Sequence, residues 1–94
     1  MYLICYDITS NKKRRKAAEI LCDYGRRVQY SVFECEIKRK QFEELYARLS
    51  DLSEGMKDGN IRIYQIAKEK MQKIVVLGNP SCIHEDDLDD IVVI

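Results

Sequence analysis

A chain of 94 residues has room for one domain and one modest core, with about 60–65% of its unfolded surface buried, so a second copy is expected to add cover. Its 16 basic and 16 acidic side chains balance, but five acids and no Lys or Arg fall in residues 81–94, leaving 16 basic against 11 acidic, a net of +5, in residues 1–80. No leader and no run near the ~18 apolar residues of a membrane span is visible, which argues against a membrane partner and for the cytoplasm. The four cysteines, Cys5, Cys22, Cys35 and Cys82, show no paired spacing and only His84 to join them, so buried thiols are expected and a zinc site is not.

Residues 2–8 are apolar, aromatic and β-branched, and read as a strand buried on both faces, with Asp7 as its anomaly. Thr9, Ser10 and Asn11 supply cap-type side chains before a helix whose apolar positions are Ala17, Ile20, Leu21 and Tyr24, and Gly25 ends it. Residues 28–37 alternate like a strand but change phase midway, which predicts either two covered faces or a bulge near Val32 and Phe33. A second helix is predicted from about Lys40 to Leu52, with Phe42, Leu45, Tyr46, Leu49 and Leu52 on one stripe. A turn over residues 53–60 leads to a strand through Ile61, Ile63, Tyr64 and Ile66, and residues 74–77 read as a short strand ending at Gly78, Asn79 and Pro80.

The predicted fold is α+β and ferredoxin-like, a βαββαβ-type antiparallel sheet with both helices on one face and the other face open to a partner, in a symmetric homodimer. The domain is placed at residues 1–80. Residues 81–94 are read as an acidic linker followed by a short C-terminal strand, since Ile91, Val92, Val93 and Ile94 would be a sticky edge if exposed. Pairing within the chain and pairing with a partner both remain open for that segment.

The chemistry-bearing residues fall into two groups. Lys12, Lys13, Arg14, Arg15 and Lys16 crowd a helix start, where each cation costs about 0.3–1 kcal/mol by the helix dipole. Phosphate would compensate, and Arg26, Arg27, Lys38, Arg39 and Lys40 are candidates to extend a nucleic-acid surface, against the alternative of a solvated basic face. Asp7, in apolar company, needs a partner: Mg²⁺, a nearby Arg, or the cap of the next helix. One carboxylate per chain makes a poor magnesium site, which two copies meeting at Asp7 would repair. Tyr6, Tyr30 and Phe33 read first as core rings.

Tyr6-Asp7-Ile8, the basic helix start, Arg27-Val28-Gln29-Tyr30-Ser31-Val32-Phe33-Glu34, Ile61-Arg62-Ile63-Tyr64 and Val76-Leu77-Gly78 together resemble the CRISPR-associated "Cas two" family over roughly residues 1–80. The resemblance implies a ferredoxin-like homodimer that partners the CRISPR integrase in spacer acquisition, an antiviral defence. It also implies an endonuclease dependent on Mg²⁺, or on Mn²⁺, acting on RNA or double-stranded DNA. By the resemblance Asp7 takes the place of the family's metal-binding, catalytic aspartate. Arg14, Lys16, Arg27 and Phe33 fall in segments that the family uses near its nucleic-acid region, with Lys16 where Arg is often found. The alternative is a non-catalytic adaptor that bridges the integrase and positions protospacer DNA, its basic flanks on the duplex and its tail on the integrase. A toxin-type ribonuclease of the same fold is the third reading.

Overall fold

The computed structural model describes residues 1–78, in the order β1 (Tyr2–Ile8), α1 (Asn11–Cys22), β2 (Arg26–Gln29), β3 (Val32–Cys35), α2 (Arg39–Ser53), β4 (Gly59–Gln65) and α3 (Lys68–Met71). Four antiparallel strands lie in the order β2-β3-β1-β4, the ferredoxin-like arrangement expected. No helix among the described residues is long and apolar enough to cross a membrane. The expected C-terminal strand, the acidic linker, Cys82 and His84 lie outside the described residues.

Period-two alternation sets the two faces of β1. Tyr2, Ile4, Tyr6 and Ile8 are buried beneath the helices, Leu3 and Cys5 are half-buried on the far face, and Asp7 is exposed there. The strand is thus covered on one face, not both as its apolar run suggested. In α1, Ala17, Ala18, Ile20 and Leu21 form the buried stripe, and the two alanines keep the helix axis close to the sheet. Ser10 caps it, its Oγ accepting the Lys13 backbone N–H at 3.2 Å.

The phase change in residues 28–37 is a chain reversal. Tyr30 and Ser31 turn between β2 and β3, and Ser31 O accepts the Tyr6 N–H at 3.1 Å, which locks the turn onto β1. A register shift does occur where the bulge was expected, opposite Val32 and Phe33, with the extra residue on β2 between Arg27 and Gln29. β3 then drives Phe33 and Cys35 into the core, both fully buried. Burying rings and branched chains such as Phe33, Ile4, Leu21 and Leu45 stabilises the fold by about 1.5–3 kcal/mol each.

Leu45 and Leu49 carry the buried stripe of α2, with Phe42 and Leu52 packed beside them. Phe42 stacks on Tyr2 at 3.9 Å between ring centroids. Tyr46, placed on the same stripe by its spacing, is 56% exposed, because the sheet beneath it ends at β4. Residues 74–77 do not form the expected strand. They follow α3 without joining a ladder, and Val75, Val76 and Leu77 are 78%, 60% and 88% exposed.

Candidate functional site

Asp7 stands on the helix-free face near the end of β1. Its register partner on β4 is Asn60, and the neighbouring pair on that face is Cys5 with Arg62. Cys5, Tyr6, Asp7, Asn60 and Arg62 line a shallow cleft of about 260 Å³. The Asp7 carboxylate is exposed and makes no ion pair or hydrogen bond with a described residue, so the feared cost of a buried carboxylate does not arise. The Arg62 guanidinium is raised from its ordinary pKa by a hydrogen bond with Tyr64 on the same strand. Asn60 and Arg62 escaped the sequence reading as site residues. Alternation puts Arg62 and Tyr64 opposite Ile61 and Ile63, but only the β1–β4 pairing brings Asn60 and Arg62 beside Asp7.

Gly59 shapes this end of the site. It opens β4 at φ +105°, and a Cβ there would lie 2.3 Å from the Asp7 carbonyl oxygen. The absence of a side chain lets β4 reach the backbone of Asp7 and Ile8.

The basic helix start divides into committed and outward cations. Lys13 sends its ammonium to Leu52 O at 3.3 Å and Glu54 O at 3.2 Å, carbonyls at the end of α2. It therefore satisfies a helix C-terminus, a favourable place for a cation. Arg14 donates to Ile8 O at 3.3 Å and to Asn11 Oδ1, tying β1 to α1. Lys12, Arg15 and Lys16 are exposed, with Lys16 3.7 Å from Glu19.

Arg26, also exposed, pairs with Glu34 at 3.3 Å. Arg27 bonds Tyr30 O through Nε at 2.8 Å and also through Nη2, and its guanidinium lies over the rings of Tyr30 at 5.1 Å and Phe33 at 5.9 Å. Phe33 is a core ring with no exposed surface, so it is out of reach of a nucleic acid. Tyr30, read as a core ring, is 38% exposed at the turn. Lys38, Arg39 and Lys40 do not extend the α1 surface. They begin α2, which follows β3 from the Cys35 end, and Cys35 pairs with Tyr2 at the far end of β1 from Asp7.

The cysteines sort by depth. Burial pushes the Cys35 thiol up to about 11, while Cys5 is half-buried and Cys22, expected inside, is exposed at the end of α1. Among the described residues no three His, Cys, Asp or Glu side chains gather as a metal cluster.

The family model for CRISPR associated protein Cas2 matches residues 1–74. The chain belongs to the Cas2 family. A Cas2 relative from Synechocystis sp., named a CRISPR-associated endoribonuclease, is 38% identical over 80 residues, which cover 85% of this chain and 86% of that one. The crystal structure of Streptococcus pyogenes Cas2 at pH 6.5 superposes with a TM-score of 0.70 at 33% identity, over 82% of this chain and 98% of that one. A chain from a partial Cas6-RT-Cas1–Cas2 complex matches with a TM-score of 0.60 at 31% identity, over 88% of this chain and 97% of that one.

Proposed function

We propose that this Cas2-family chain works in CRISPR adaptation as a homodimer that binds nucleic acid and hydrolyses phosphodiester bonds in RNA or double-stranded DNA with Mg²⁺. The observation that carries the reading is the place of Asp7, exposed on the helix-free sheet face beside half-buried Leu3, Cys5 and Val32. That face suits a second copy, and two copies meeting there would bring two Asp7 carboxylates together. The names of the curated relatives, endoribonuclease and endonuclease, support hydrolysis.

The donor set fits a hard cation on those terms. Asp7 supplies a carboxylate, Asn60 a neutral oxygen on the same face, and the partner copy a second carboxylate, which meets the usual need of one or two carboxylates with water and phosphate. Mg²⁺, or Mn²⁺, when bound polarises a phosphate oxygen and lowers the pKa of a bound water. Arg62, in the neighbouring register pair on that face, would neutralise phosphate charge, and Lys12, Arg15 and Lys16, all exposed, would hold the backbone without regard to sequence. Gly59 and the β1–β4 ladder fix the Asp7 backbone so that its carboxylate needs little ordering on binding.

The deciding assay is cleavage of labelled duplex DNA and single-stranded RNA by wild type and Asp7→Ala, with Mg²⁺, with Mn²⁺ and with chelator. Loss of a metal-binding carboxylate should cost at least the 10–100-fold typical of weaker outer contacts, and chelator should abolish the rest. Equal rates in both proteins would remove Asp7 from catalysis.

In that event the second reading takes over, a non-catalytic adaptor that bridges the CRISPR integrase and positions protospacer DNA. The structural likeness to a chain from a complex containing Cas1 favours it.

A further inference from the structure

Six cations gather at the end of the sheet farthest from Asp7. Lys38, Arg39 and Lys40 stand at the start of α2, Lys68 and Lys70 lie in α3, and Lys73 follows it. The register brings them to one end: Cys35, before α2, and Gln65, before α3, both pair with Tyr2. A cleft of about 670 Å³ runs between the two segments, with Lys38 and Lys68 both in its lining. All six are exposed, and among the described residues only Arg39 has an ion pair, with Glu43 at 3.5 Å. Against Glu36, Glu43, Glu44 and Glu69 the end keeps a surplus of two positive charges. Like charge held this close repels itself and is relieved by a polyanion.

We propose that this end is a second phosphate-contacting surface, so that each protomer holds one duplex nucleic acid at two places. The inference rests on the nucleic-acid reading above and adds a footprint to it. The two surfaces are set apart by the length of β1, on the order of 20 Å at ~3.3 Å per residue, or about six base-pair steps. Five of the six cations are lysines, compact point charges on flexible stems, which suit backbone phosphate and not the fixed geometry of a base edge. The surface therefore takes any duplex of sufficient length, and it strengthens binding without adding sequence preference.

The test is duplex affinity across a salt series for wild type, for Lys40→Ala/Lys68→Ala/Lys70→Ala, and for Arg15→Ala at the other end. None of the three lysine side chains makes a hydrogen bond or ion pair with a described residue, so the triple variant should fold like wild type, which its melting curve checks. The expected result is weakening of about tenfold or more at low salt, with the slope of log affinity against log salt reduced by about 2–3, close to 0.9 per lost contact. Wild-type affinity and slope in the triple variant, with Arg15→Ala impaired, would overturn this inference and leave nucleic-acid binding standing. Wild type that binds no duplex would overturn both. Unchanged duplex affinity with loss of an acidic protein partner would also overturn it, by assigning the surface to that partner.

Discussion

Lys13 and Arg15 are two residues apart in one basic run and have different environments. Lys13 reaches the last carbonyls of α2, while Arg15 is exposed. Lys13→Ala should lower stability by about 1 kcal/mol, a fall in melting temperature of about 4–8 °C, and leave the salt slope of duplex binding unchanged. Arg15→Ala should leave the melting temperature nearly unmoved and lower the slope by about 1. Thermal melts beside a salt titration separate the two, and a slope change in Lys13→Ala would return that residue to the binding surface. A charge run in sequence cannot be divided this way, because the division depends on α2 ending beside α1, a contact between residues roughly 40 apart. Asp7 teaches the converse. Its apolar neighbours suggested burial, yet the strand's own alternation places it on the uncovered face.

At the scale of elements, Gly59 decides how β4 meets β1. A methyl group there would collide with the Asp7 carbonyl and would sit at a positive φ, so Gly59→Ala should destabilise by about 1–3 kcal/mol and displace the strand end that carries Asp7. Metal-dependent cleavage should fall by more than the folded fraction does, measured by activity normalised to circular dichroism. Activity that simply tracks folding would free the site from this constraint. The elements with a strong local period were legible: β1 has the limits its apolar run gives, and both long helices bury most of their predicted stripes, Tyr46 on α2 excepted and Tyr24 lying past the end of α1. The hairpin was not, since Tyr30 and Ser31 carry none of the Gly, Asn or Asp that marks a tight turn, and the turn is held by Tyr6 from another strand. Residues 74–77 have every local mark of a strand and no ladder, because a strand is defined by its partner. Of the site, Asp7 and the outward cations could be named from sequence, while Asn60 and Arg62 needed the register.

For the whole molecule, two apolar surfaces remain without cover among the described residues: the half-buried face of Leu3, Cys5 and Val32, and the exposed side chains of Ile74, Val75, Val76 and Leu77. A homodimer should therefore show in sedimentation equilibrium, with a melting temperature that rises with concentration. Val32→Asp should shift the equilibrium to monomer and remove Asp7-dependent cleavage with it, and a fully active monomer would sink the shared-site reading. The order of the strands has a further consequence, in time. β1 is central and is made before the other described strands, yet its partner β4 comes roughly 50 residues later. Closing that loop costs entropy before any pairing repays it, so the β1–β4 ladder is expected to form late in folding. Asp7 and Asn60 meet only when that ladder zips, and until then a nascent or half-folded chain carries the basic helix start without the carboxylate site in place. On the proposed function, a premature chain would therefore carry its phosphate-binding charge before its cleavage site is assembled.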